Sequence, residues 1–396
     1  MGSFSPGVVA TLLLVGLGVA VFVGFNIGGS STGVAFGPAV GSGLLSKLAA
    51  AALMTGFAFA GAWTVGRGVI ETMGGRIVPS SEFTLVASVG VLFFVGLALL
   101  ISNTFGVPAS TSMTAVGAIA GLGAATNSLN SEVMLRIVGW WLVSPVIAFW
   151  VCAMIGRYLY PYLDAAFPID RTAGGVVDVA VDGGVPRISR APNTSRSELL
   201  GTVLVVAIAC YMAFSAGASN AANAVAPLVG SPEANLSADL GIVIASGAIG
   251  LGAFTIARRT LDTVGNDLTD LPLLAALIVE LVSASLIAFL SYIDIPASLA
   301  VSATMCIVGL GWGRATRTTS VGDAVHGERP EVSVNALAAE GEADGSVPDV
   351  GEEEEDELLA DDLFNPGTTG RVIFFWMLTP SLSFAASYAL FSLAPV

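Results

Sequence analysis

Charged side chains are scarce in this sequence. Asp, Glu, Lys and Arg make up 11% of the 396 residues, whereas a soluble domain usually carries about 25%. Hydrophobic residues account for 54%, and the mean hydropathy is +0.82. Because so much apolar surface is most simply hidden in lipid, the composition predicts a polytopic membrane protein. The lipid bilayer is therefore an expected partner, and nucleic acid is not.

Residues that usually carry catalysis or bind metals are equally rare. The chain has one histidine, and its three cysteines, Cys152, Cys210 and Cys306, all fall within apolar stretches. Those stretches contain no pair of carboxylates. We therefore expect no disulfide, no resident metal, no cofactor and no catalytic residue, and we do not predict an enzyme.

Long apolar runs are abundant instead, and several approach the roughly 20 residues that cross a bilayer as a helix. Backbone groups in lipid must be satisfied within the segment, so each run is predicted to be α-helical. The fold class is therefore an all-α polytopic membrane protein with five spans in each half. The predicted spans are 8–25, 46–66, 83–103, 107–127, 134–157, 198–215, 238–257, 271–291, 295–313 and 371–393.

The two halves open with related segments. Gly28–Ser42 reads GGSSTGVAFGPAVGS and Gly217–Ser231 reads GASNAANAVAPLVGS, with identity at seven of fifteen positions. An odd number of spans per half reverses the second copy across the membrane, so we predict two inverted repeats. The first repeat would cover 1–163, and the second would cover 198–317 together with 371–396.

Two polar stretches lie outside these repeats. Residues 164–197 are predicted to form a central loop. Residues 318–370 are predicted to form an acidic, disordered insertion that includes the run Glu352–Glu357. Most arginines lie in loops on one side of the membrane, and the positive-inside rule assigns that side to the cytoplasm. We therefore expect both loops in the cytoplasm of a cell-membrane protein, with both termini outside.

Each of the related segments ends an apolar run with glycine, proline and small polar residues. This pattern predicts helices broken near the membrane midplane, whose free N–H groups and positive dipole ends would favour an anion. Hydroxyl and amide donors would complete the site without adding a buried charge. The candidates are Ser30, Ser31, Thr32, Ser219, Asn220 and Asn223. The alternative is helix packing alone, because small residues let helix backbones approach closely.

A second polar cluster opens the fourth predicted span of each half. Ser110, Thr111 and Ser112 follow Pro108, and Ser298 follows a proline in the second half. These hydroxyls are further candidates for anion binding. Helix capping is an equally good interpretation for any single one of them.

Glu280 is the one ionisable residue deep within a predicted span. A carboxylate in a membrane segment is costly and indicates function by default, so Glu280 is a candidate for coupling transport to a proton or cation. The alternative is a hydrogen-bonded structural acid. Leu92 occupies the matching position in the first half, so the role would not be duplicated.

These segments resemble motifs of the inorganic phosphate transporter (PiT) family. GASNAANAVAPLVGS is similar to its GANDVANA-type motif, and Ser110–Ser112 after Pro108 resembles its Pro-x-Ser-Thr-Thr motif. The resemblance implies a homodimeric secondary transporter that carries inorganic phosphate by alternating access, with sodium or protons as the coupling ion.

The sequence departs from this family pattern at the motif aspartates. Ser31 and Asn220 stand where family members usually carry aspartate, so the predicted site has almost no negative charge. This departure weakens sodium coupling and favours donors for a fully ionised anion. Sulfate or another oxyanion is therefore the alternative substrate, and a passive anion channel is the alternative mode of transport.

Overall fold

The computed structural model describes residues 5–104, 110–166, 177–182, 185–190, 196–257, 272–318 and 366–393. Helices dominate these residues, with π-helical turns at Thr72–Arg76 and Ile155–Leu159. The α-helices are α1 (Pro6–Gly41), α2 (Lys47–Thr64), α3 (Gly66–Glu71), α4 (Leu85–Thr104), α5 (Thr111–Ala125), α6 (Ser131–Met154), α7 (Tyr160–Ala166), α8 (Arg196–Gly230), α9 (Ala238–Thr255), α10 (Leu273–Tyr292), α11 (Leu299–Ala315) and α12 (Pro366–Leu393).

All ten predicted spans fall on helices, but these helices differ in length. Among the described residues, five are long and apolar enough to cross a membrane. A sixth candidate is the pair Lys47–Thr64 and Gly66–Arg76, which bends by 68° at its break. Helices α5 and α11 have only 15 and 17 residues, which is shorter than a typical span. Of the ten predicted spans, five or six therefore meet the length and composition of a membrane span among the described residues.

The predicted breaks at the related segments are wrong. Helix α1 runs without interruption through Gly28 to Gly41, and α8 runs through Gly217 to Gly230. In α1 the hydroxyls of Ser30 and Thr32 donate to backbone carbonyls about one turn earlier, so they are satisfied within a continuous helix. The prolines, Pro38 and Pro227, lie three residues before the last residue of their helices, so each falls in the last helical turn.

Two helices instead begin inside the protein at the second polar cluster. The side chain of Ser110 accepts a hydrogen bond from the N–H of Met113 and caps α5. The side chain of Ser298 accepts from Val301 and caps α11. Both serines are buried. Helix N-termini therefore do lie in the interior, but they belong to α5 and α11 rather than to the related segments.

The helices of the two halves pack in matching pairs. Gly28 on α1 lies against the carbonyl of Ile249 on α9, and Gly217 on α8 lies against the carbonyl of Ala58 on α2. Farther along, Gly121 on α5 faces the carbonyl of Phe384 on α12. The equivalent glycine of the second half, Gly309 on α11, faces Phe149 on α6. Each first-half contact thus has a counterpart in which the roles of the halves are exchanged.

The predicted central loop contains more regular structure than expected. Helix α6 continues through the π-helical turn into α7, and the following residues include an antiparallel hairpin. Strands β1 (Val177–Asp182) and β2 (Val185–Arg190) pair with Val177 opposite Arg190. Residues 319–365, which make up most of the predicted acidic insertion, lie outside the described residues.

Candidate functional site

A cavity of about 50 Å³ lies where α1 and α8 meet the N-termini of α5 and α11. A water molecule needs about 10–15 Å³ of such space, so the cavity can hold a few waters or a five-atom oxyanion. Four polar residues of the wall come from the related segments and their neighbourhood, and two come from the helix N-termini. The lining residues are Asn26, Ser30, Ser31, Val34, Leu99, Thr111, Asn220, Ser298, Leu299 and Ala300.

The structure brings together the residues on which the sequence hypothesis depended most. Ser31 from the first half and Asn220 from the second line the same cavity, although the sequence separates them widely. Ser30, Thr111 and Ser298 lie on its wall as well. Their role in binding remains a prediction, but they satisfy its geometric condition.

The other five predicted residues lie behind the wall. Thr32 donates to its own helix at the carbonyl of Gly28, and Ser110 caps α5. Ser112, Ser219 and Asn223 are fully buried in hydrogen bonds between α5, α8 and the segment before α11. Direct contact with an anion in this cavity is therefore not expected for these five.

The amide of Asn220 has a fixed orientation. Its Oδ1 accepts from the hydroxyl of Thr111 at 2.8 Å and from Nδ2 of Asn223 at 3.1 Å. The amide oxygen accepts both hydrogen bonds, so the NH₂ group is the part of the amide that remains to donate to a ligand in the cavity. Asn220 can thus donate to an anion, whereas its oxygen is already engaged by two donors.

Ser219 holds the segment that leads into α11. Its hydroxyl donates to the carbonyl of Ala297 at 2.8 Å and accepts from the N–H of the same residue at 3.4 Å. The indole of Trp141 donates to the adjacent Pro296 carbonyl at 2.8 Å. These bonds fix the position of Ser298 and of the first turn of α11 at the cavity.

The two helix N-termini give the cavity a positive electrostatic character. Leu299 and Ala300 line it as the first residues of α11, and Thr111 lines it as the first residue of α5. Backbone N–H groups in the first turn lack intrahelical partners, and the helix dipole places partial positive charge there. Serine caps satisfy one N–H each, which leaves others available to an oxyanion.

Asn26 is the polar wall residue that the sequence hypothesis missed. It is buried, and its side-chain Nδ2 donates to the backbone carbonyl of Phe22 at 2.8 Å. Its backbone carbonyl accepts a hydrogen bond from the hydroxyl of Ser30. A signal was present, because Asn26 is the only amide in α1 and precedes Ser30 by four residues, which is one helical turn. It lies just before the related segment and was therefore outside the comparison of the two halves.

The cavity wall carries no ionisable side chain among the described residues. Glu280 is buried with 4% exposure but is not one of the lining residues. In the same described part of the chain, no group of three or more His, Cys, Asp or Glu could hold a metal ion. The wall therefore offers neutral donors and helix N-termini, an arrangement suited to an anion.

A comparison with known families agrees with this arrangement. The model of the phosphate transporter family matches residues 27–387, which include most of both halves and every residue of the cavity wall except Asn26. This chain belongs to the phosphate transporter family.

The similar proteins within this transporter family differ in the substrates for which they are named. The sulfate permease CysP of Bacillus subtilis is 30% identical over 296 residues, covering 74% of this chain and 76% of that protein. A Chlamydia muridarum protein assigned as a phosphate permease is 27% identical over 380 residues, covering 76% and 89%. A solved sodium-dependent phosphate transporter superposes with a TM-score of 0.66 at 18% identity, covering 97% of this chain and 98% of that one. This last likeness concerns the fold.

Within this transporter-family fold, we expect Ser219 to act by positioning α11. Ser219→Ala should lower the melting temperature in detergent more than Ser285→Ala does, because it leaves both buried backbone groups of Ala297 without their partner. An unsatisfied buried group costs about 1–3 kcal/mol. The hydroxyl of Ser285 is exposed and bonds only to its own helix. Equal shifts in the two variants would contradict the positioning role.

Proposed function

We propose that this protein is a secondary transporter that moves a tetrahedral oxyanion, with inorganic phosphate as the first candidate, through the cavity between α1, α8 and the two helix N-termini. One observation carries the proposal. Two continuous helices and two interior helix N-termini converge on one small cavity whose polar wall consists of uncharged donors. Membership of the phosphate transporter family supports the assignment.

In this proposal the anion is held by side chains from both halves. Asn220 offers its NH₂ group, and Ser31 and Ser298 offer hydroxyls. The hydroxyls of Ser30 and Thr111 already donate to the backbone carbonyl of Asn26 and to Oδ1 of Asn220, so each would have to rotate to donate to the anion. Hydrogen bonds to a charged partner contribute about 1.5–3 kcal/mol each. A few such bonds together with helix N-termini can replace the water that the anion loses, without a buried cation.

We also propose that the halves are inverted repeats and that transport proceeds by alternating access. The matching pairs of close contacts support this interpretation, since Gly28 with Ile249 and Gly217 with Ala58 exchange the roles of the halves. A site between such repeats can open to either side when one bundle rocks against the other. The orientation with both termini outside, the cation coupling and the homodimer remain predictions.

Sulfate is a second candidate that specific observations favour. The phosphate forms present near neutral pH carry at least one proton, which needs an acceptor, whereas sulfate carries none. The oxygen of Asn220 is already engaged by Thr111 and Asn223, and the described wall has no carboxylate. The similarity to a sulfate permease points in the same direction.

Uptake measurements should separate these candidates. We expect purified protein in liposomes to show saturable uptake and counterflow of labelled phosphate or sulfate, with empty liposomes as the control. Competition by the unlabelled anions would rank the two substrates. Flux that rises without saturation would favour the passive channel, and the absence of flux for both anions would refute oxyanion transport.

A further inference from the structure

Glu280 is an acid without a partner in the membrane part of the protein. It lies in the middle of α10, has 4% exposure and has no hydrogen-bond partner for either carboxyl oxygen among the described residues. A structural acid at a helix interface would be expected to bond with its neighbours. The alternative stated for this residue from the sequence is therefore not supported.

The position of Glu280 separates it from the anion cavity. Ser283, one turn further along α10, contacts the sulfur of Met212 on α8 at 3.9 Å. Beyond the end of α10, Ala297 bonds to Ser219 on α8, so α8 and α10 run in the same direction. Asn220 follows Met212 by eight residues, or about 12 Å along the helix axis. Glu280 thus lies farther from the cavity than Ser283 does, and direct contact with the anion is not expected.

In the part of the chain that the structure describes, no ionisable side chain on the helices packed around α10 pairs with this carboxyl. Glu280 makes no ion pair or hydrogen bond with any described residue. Helix α1 has no ionisable residue. The ionisable residues of the other helices in contact with α10 are Arg67 and Glu71 on α3, Glu132, Arg136 and Cys152 on α6, Arg196, Glu198, Cys210 and Tyr211 on α8, and Cys306 and Arg314 on α11.

The electrical cost of moving an anion across the membrane points to a function for Glu280. Carrying an anion into an inside-negative compartment costs about 2.3 kcal/mol per charge for each 100 mV. The described wall of the cavity has no carboxylate that could bring a metal cation along with the anion. A carboxylate in the membrane interior is also costly when it is unpaired, and binding one proton removes that cost.

We propose that Glu280 is a proton-binding site that couples anion movement to a proton gradient, an inference that rests on the proposed oxyanion transport. A proton from the outer solution binds the carboxylate to give the neutral acid, which is the form that can cross with the anion-loaded protein. The same proton leaves to the inner solution after the anion has been released. The deprotonated carboxylate then binds another proton from outside before the next anion is carried.

The test compares two modes of transport in liposomes, using labelled phosphate and labelled sulfate. With the membrane potential clamped and an inward gradient of about two pH units, one coupled proton supports about a hundredfold accumulation. Glu280→Gln resembles the permanently protonated acid. We expect this variant to lose the accumulation while it still exchanges anions across the membrane. Glu280→Asp should keep both modes, as should Ser283→Ala one turn away.

Each outcome separates the two proposals. Accumulation by Glu280→Gln equal to that of the wild type would overturn proton binding at Glu280. Loss of exchange together with accumulation would also overturn it, because the residue would then be needed for anion movement itself. If the wild type exchanges anions but does not respond to the pH gradient, oxyanion transport stands and the coupling proposal fails. If the wild type exchanges neither anion, both proposals fail.

Discussion

Replacing Asn220 with alanine is expected to lower oxyanion transport about tenfold or more, while the protein still inserts and remains folded. The change removes the NH₂ group that faces the cavity, and a hydrogen bond to a charged partner is worth about 1.5–3 kcal/mol. By the usual conversion this corresponds to roughly 10- to 150-fold in anion affinity. Labelled-anion uptake in liposomes, at several substrate concentrations, measures the effect.

The companion variant for this position is Asn220→Asp. An aspartate can still accept from Thr111 and Asn223, so the hydrogen bonds behind the wall persist. It loses the donor and adds a negative charge next to the anion, so we expect at least the loss caused by alanine. Ser381→Ala, on an exposed part of α12, is the control for insertion and folding. Wild-type uptake by both Asn220 variants would remove this residue from the site.

The second large effect is expected where α1 crosses α9 and where α8 crosses α2, because each of these helix pairs joins the two halves. A Cβ added at Gly28 would overlap the carbonyl oxygen of Ile249, and one added at Gly217 would overlap that of Ala58. Both obstructions are backbone atoms, which cannot rotate away as a side chain can. Overpacking usually costs about 1–3 kcal/mol and more where backbones must separate. We expect Gly28→Ala and Gly217→Ala to lower the melting temperature in detergent by roughly 5 °C or more.

Each of these helices provides its own control. An added Cβ has nothing within 4 Å at Gly18 on α1 or at Gly201 on α8. Alanine at these two positions should therefore leave the melting temperature unchanged or slightly higher, since alanine favours helix. If all four variants behaved alike, the close crossings would not hold the two halves together.

The sequence predicted the structure correctly where a local pattern is compatible with only one local conformation. Apolar runs in lipid can satisfy their backbone groups only as helices, and the helices fall where the runs do. Serines after proline or alanine predict N-caps, and Ser110 and Ser298 cap their helices. The hydroxyl and amide residues of the related segments also predicted a site of neutral polar groups, and several of them line the cavity, while their role in binding stays a prediction.

The prediction of helix breaks at the related segments was wrong, because glycine, proline and small polar residues can either interrupt a membrane helix or lie within a continuous one. In α1 the hydroxyls of Ser30 and Thr32 bond to carbonyls of their own helix, so the backbone stays helical. A closely packed neighbour such as α9 fills the space above Gly28. The sequence shows that small residues are present in these segments, but it does not show which helix packs against them.

The sequence by itself determined that this is a helical membrane protein with a duplicated opening segment and a small group of uncharged hydrogen-bond donors. Only the tertiary structure decided which donors face the cavity. Ser31 and Asn220 line it, whereas Thr32 donates to its own helix and Asn223 donates to the wall residues Thr111 and Asn220 from behind. Asn26 joins the wall from outside the duplicated segment. The physical reason is that a helix apolar on all sides has no polar face to set its rotation. That rotation is fixed only when neighbouring helices pack against it.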